Sequence, residues 1–210
     1  MMYNTPPEDV QFDLMESVLR VASKYEAEQY QAWAMACLKK YPTTNDTVES
    51  VYNHPKWKTY FRDPIYCIRL IRLAELLNLR DLDALELLSY YALSVIDWDV
   101  YDKGEAFQGL DAHIIRRLTR GERKRFAINV QAYLTVFLSE GGKHPGCKTA
   151  DSQGRCSAAV ELTRNVILPS INGDLIGALI AAPPSPCRII ADTIATVIAS
   201  QYTLIKLFRI

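Results

Sequence analysis

Few side chains in this sequence combine a reactive group with a suggestive spacing. His144, Cys147 and Cys156 form an H-x2-C-x8-C group in a polar stretch, and a two-residue gap lets a single turn offer two ligands to tetrahedral zinc. A closed structural site takes four ligands, no CxxC pair exists and Cys187 is remote, so ordinary loop thiols are expected. Asp97, Asp99 and Asp102 alternate like oxygen ligands of a calcium loop, yet a twelve-residue loop counted from Asp97 ends on Gln108, where an acid is required. Helix-capping aspartates in a solvated loop are the simpler reading. His54, His113 and His144 lie far apart, and no G-x-S-x-G, H-E-x-x-H, G-x-G-x-x-G or phosphate-binding G-x-x-x-x-G-K-[ST] occurs. The reading is therefore no catalytic residue, no cofactor and no metal.

One charged cluster stands out. Between His113 and Arg125 lie Arg116, Arg117, Arg120, Arg123, Lys124 and Arg125, with Asp111 and Glu122 nearby. Such a cluster suits an acidic partner before a nucleic acid, because Phe126 alone offers a stacking ring and the 24 basic and 24 acidic residues cancel. A solvated helix end with arginine stems lying on apolar neighbours is the plainer alternative. Trp57, Tyr60 and Phe61, in what reads as a long loop, join Arg116, Arg117 and Arg120 as expected partner-binding residues.

These groups must be positioned by helices. With 210 residues, 49% of them hydrophobic, the chain can bury a core as one domain or two small ones packed together. Leu14, Met15, Val18, Leu19, Val21, Ala22 and Tyr25 recur at three- and four-residue steps, which predicts a helix over 12–25 with one broad buried face. A second helix is expected over 27–40, ended by Tyr41-Pro42-Thr43-Thr44, then a loop over 43–64 with one helical turn at most. Further helices are expected over 65–77 and 82–96, joined tightly as a hairpin with Asp81 as cap, then over 110–118, 121–138 and 157–167, and in the tail over 175–182 and 188–208. No stretch alternates with period two, so the fold class is all-α, a bundle of helical hairpins.

The five scattered cysteines and the polar, acidic start fit a reduced intracellular protein, in cytoplasm or nucleus, with no secretory signal. The segment 188–208 is long enough to span a bilayer, but Asp192, Ser200, Gln201 and Lys206 interrupt it, while Ile189, Ile190, Ile194, Val197, Ile198 and Leu204 fit one face of a packed amphipathic helix.

Val18-Leu19-Arg20-Val21-Ala22-Ser23-Lys24-Tyr25, followed by a helix ending Cys37-Leu38, resembles the helical hairpin that closes a BTB/POZ domain. Lys40-Tyr41-Pro42-Thr43-Thr44, the 70–82 segment, Gly109 to Leu118, Phe137-Leu138 and the Cys147…Cys156 loop are similar to BTB proteins abundant in mushroom-forming fungi. The resemblance spans residues 9–168 and implies the terminal hairpin of a BTB-like domain (9–42), a loop (43–64), a BACK-like helical extension (65–168) and an apolar helical tail (169–210). It implies a non-catalytic protein-interaction module, an adaptor or a transcription-related scaffold. The strands, first helix and dimer surface of that family have no counterpart ahead of the hairpin, so its homodimer is not implied. A fragmentary or degenerate gene product, or a small zinc-binding or enzymatic helical domain, is the alternative.

Overall fold

A computed structural model of the chain describes residues 10–43, 46, 48–77, 82–96, 107–108, 110–138, 163–170, 174–181, 195 and 199. Among them there is no strand; the fold is all-α. In chain order the helices are α1 (Phe12–Lys24), α2 (Glu28–Leu38), α3 (Val48–Asn53), α4 (Pro55–Thr59), α5 (Pro64–Leu77), α6 (Asp83–Val95) and α7 (Ala112–Leu138). A π-helical turn, Thr163–Ile167, runs into Leu168–Ser170, and α8 (Leu175–Ala181) follows. The chain divides into two compact units, Met1–Ser89 and Tyr90–Ile210, with the boundary inside α6.

In the first unit α1 packs on α2 and α5. The turn from α1 to α2 is tight. Glu26 takes the left-handed conformation (φ 53°), and the Ala27 amide donates to the Ala22 carbonyl at 2.8 Å, closing the last turn of α1. Phe12, Met15, Leu19 and Ala22 form the buried side of α1. Leu14, Val21 and Tyr25, expected on that same side, are exposed. The seven apolar positions cover more of the helix circumference than one packing interface can seal, so they divide into two stripes.

The stretch expected to be a loop with one turn contains two short helices, α3 and α4, packed on each other. Local polar groups explain why the chain turns here. The Thr43 amide and hydroxyl both donate to Asp46 Oδ2 (2.6 and 3.1 Å), and the His54 ring caps α4, its Nδ1 accepting the Lys56 amide at 3.1 Å with Pro55 in the first turn. Asp63 starts α5 in the same way, accepting the Ile65 amide at 2.8 Å. Pro64 sits at the first position of α5, where a missing N–H costs nothing.

The His54 cap makes a pH-dependent prediction. Burial, ahead of the repulsion from Lys56 and against the attraction of Asp46, holds the imidazole below its ordinary value near 6.5. A ring whose Nδ1 accepts an amide proton must be neutral, with its own proton on Nε2. Because the folded value is the lower one, the unfolded chain takes up the proton first. The contribution is complete above about 6.5 and is lost as pH falls through the folded value. Melting wild type and His54→Asn at about pH 7.5 and about pH 5.5 checks this: the wild type loses more stability than the asparagine variant, whose cap does not titrate.

α6 is buried from Leu87 to Val95 without a break. Its two serines sit in that apolar surround because each hydroxyl donates back to its own helix, Ser89 to the Leu85 carbonyl at 2.8 Å and Ser94 to the Tyr91 carbonyl at 2.7 Å. In the second unit α7 and α8 each pack on the π-helical turn, with Ile167, Leu175 and Leu179 buried. The break expected at residues 119–120 is absent, and α7 runs unbroken through it. Gly121, expected to open a second helix, is instead a buried residue inside it.

Among the described residues no helix is long and apolar enough to cross a membrane, and no group of three or more His, Cys, Asp or Glu side chains is placed to hold a metal ion. His144, Cys147, Cys156, Cys187, Asp81, Asp97, Asp99 and Asp102 lie outside the described residues, as does nearly all of 188–208.

Candidate protein-interaction surfaces

The sequence points first to Trp57, Tyr60 and Phe61 as surface contacts. The structure overturns that for two of them: Trp57 and Phe61 are each 1% exposed, and Tyr60 is half-buried. The reason is the helix that replaces the expected loop. α4 turns Trp57 inward, where its ring lies 5.1 Å from Tyr52 and stacks on Phe61 at 5.4 Å. Tyr60 instead joins a second aromatic group, 5.0 Å from Tyr66, 5.5 Å from Tyr41 and 6.1 Å from Phe12, with the Lys56 ammonium over both Tyr60 (5.3 Å) and Tyr41 (5.5 Å). Burial and the neighbouring Tyr60 push the Tyr41 phenol far above its ordinary range. Burial likewise raises both described thiols, Cys37 and Cys67, and the Cys67 Sγ–H donates to the Phe61 carbonyl. These groups are packing, and a weakly acidic buried thiol is a poor nucleophile.

Beside the aromatic group sits a compact charge network. Glu16 is a buried carboxylate on α1 whose two oxygens are divided between two arginines. Oε1 accepts from Arg20 (Nε 3.0 Å, Nη2 2.8 Å), and Oε2 accepts from Arg69 Nε at 2.8 Å and from its Nη2. Arg69 also reaches Asp13 at 2.6 Å, and its guanidinium lies 4.9 Å from the Phe12 ring centre. This fork pins α5 to α1.

Among the described residues, exposed apolar and basic side chains gather on α1 and on α7. On α1, Leu14 (55% exposed), Val21 (57%) and Tyr25 (70%), with half-buried Val18 between them, follow one another at steps of four, three and four. That is the seam spacing of helix-on-helix packing. Tyr30, at the start of α2, is exposed as well. On α7, the six basic residues are sorted by the helical period. Arg125 is buried, and Arg117 is half-buried with its guanidinium 4.5 Å from the centre of the buried Tyr90 ring. Arg116, Arg120 and Arg123 are exposed. Of the partner-binding residues expected from sequence, Arg116 and Arg120 are therefore on the surface, Arg117 is anchored on Tyr90, and Arg123 belongs with the exposed pair.

Comparison with family models, with curated proteins and with solved structures gives no match. The assignment of a role rests on these surfaces.

The α1 stripe is visible in the sequence, but periodicity alone does not separate it from the core-facing positions. Leu14, Val18, Val21 and Tyr25 are a complete seam by themselves, and Phe12, Met15, Leu19 and Ala22 are another.

Proposed function

We propose that this chain is a non-catalytic protein-interaction module of BTB-type ancestry, in which the helical hairpin α1–α2 presents the Leu14–Val18–Val21–Tyr25 stripe to a helix of another protein. The observation that supports it is the exposure of that stripe on a helix whose other side, Phe12, Met15, Leu19 and Ala22, is already buried. A helix that needed one apolar face for its own fold carries two. Burying such a stripe against a partner helix releases water from apolar surface at about 25 cal/mol per Å², and a tyrosine at its end adds a large half-polar ring of the kind that anchors interfaces.

The experiment compares tagged wild type with Val21→Asp in capture from the native cells. Val21 is exposed, so the aspartate leaves the melting temperature close to that of wild type, and the proteins retained by the wild type are lost from the variant. Retention of the same proteins by both forms, or of none by either, removes the proposal.

A further inference from the structure

The ten residues from Arg116 to Arg125 hold six basic side chains and one acidic one, Glu122, in a chain with 24 of each sign. The helical period places three of the six, Arg116, Arg120 and Arg123, on the exposed side of α7 at positions i, i+4 and i+7, a ridge about 10 Å long. Ile115 and Phe126 are exposed along the neighbouring row of the same helix (36% and 46%). Two arginines of the first unit are treated differently: Arg20 is tied to Glu16, and Arg69 to Glu16 and Asp13. No ion pair joins Arg116, Arg120 or Arg123 to an acidic side chain among the described residues. Like charges three and four residues apart repel along a helix, so carboxylates brought against the ridge meet it favourably.

We propose that the outer face of α7 docks an acidic segment of a protein partner, whose carboxylates meet Arg116, Arg120 and Arg123 while its apolar side chains cover Ile115 and Phe126. Guanidinium groups at one-turn spacing match carboxylates at the same spacing on a helix, and each can accept a two-pronged contact. A nucleic acid fits less well. With the charges of the whole chain cancelling, the basic excess of this ridge is balanced by an acidic excess elsewhere, and a long polyanion feels both, whereas a short acidic segment meets only the ridge. Ile115 and Phe126 give apolar side chains a place that a phosphate backbone leaves unused. This surface is separate from the α1 stripe and stands or falls independently of it.

The test uses the full chain and a labelled synthetic peptide with glutamates at i, i+4 and i+7 and leucines on the adjoining row, followed by fluorescence anisotropy. The wild type binds it, and binding weakens at least about tenfold in Arg116→Gln/Arg120→Gln/Arg123→Gln. It also weakens severalfold between about 50 and about 200 mM salt. Ile115→Ser/Phe126→Ser weakens it too, and the peptide with glutamine in place of glutamate does not bind. Glutamine is a good helix former, so circular dichroism of the triple variant matches the wild type. Val21→Asp binds the peptide unchanged, which separates this proposal from the one made for α1. The proposal is overturned if the wild type ignores the peptide or if the triple variant binds it equally well. It is overturned also if a single-stranded oligonucleotide binds more tightly than the peptide, or if the ridge proves to hold a second copy of the chain, seen as self-association that the triple variant abolishes.

Discussion

Trp57→Ala lowers the unfolding free energy by about 3 to 5 kcal/mol, the usual result of emptying a large aromatic site in a packed interior. The side chain is 1% exposed and fills the space between Tyr52 and Phe61, at 5.1 and 5.4 Å. Its loss removes the stacked partner of Phe61 as well as its own buried area. Phe61 is the residue whose carbonyl accepts the Cys67 thiol at 3.6 Å, so the disturbance reaches the start of α5. Trp57→Phe retains the stacking and loses much less. Thermal unfolding followed by circular dichroism measures both, with a drop on the order of 10 °C for the alanine variant. A Trp57→Ala protein that melted like the wild type and failed only in partner binding would restore the indole to the surface and contradict the packing of α4.

Glu16→Ala is expected to cost about 2 to 4 kcal/mol, because removing one member of a buried, hydrogen-bonded charge group leaves the others to find new partners. Both of its oxygens are occupied, one by Arg20 and one by Arg69. Arg69 retains Asp13, but that carboxylate is 66% exposed and screened by water. Asp13→Ala accordingly costs less than about 1 kcal/mol. Urea denaturation of the two variants separates them: the midpoint moves far for Glu16→Ala and little for Asp13→Ala, with the slope unchanged in both. Equal losses for the two would mean that the fork acts through exposed Coulomb attraction alone. Arg69→Met in the Glu16→Ala background recovers part of the loss, since the guanidinium stranded beside the Phe12 ring is then replaced by an apolar chain of similar length.

Much of the helical skeleton was legible as a pattern. Over 65–77 and 82–96 the apolar spacing gave the helices to within a residue or two, since a period of 3.6 is a property of neighbours along the chain. The end of α2, at Leu38 and two residues short of the expected bound, follows from what Pro42 and the polar residues after it do to the adjacent backbone. Residues 48–59 were harder. Their helices are one or two turns long, too short for a period to show, and they exist because His54 caps one of them and Trp57 has a cavity to fill. The break expected at residues 119–120 is spanned by a continuous helix, which the local pattern alone did not show.

Composition and periodicity made this chain helical and supplied it with more apolar positions on α1, and more arginines on α7, than one interior can use. Which of them would be sealed was decided by the fold. Leu19 and Leu14 are the same residue type on the same helix, yet one is buried and the other 55% exposed; Arg125 and Arg120 differ in the same way. Burial is a relation between two surfaces. Only when α2 and α5 close on α1, and the π-helical turn on α7, does each helix acquire an inside, and with it an outside on which a partner can settle.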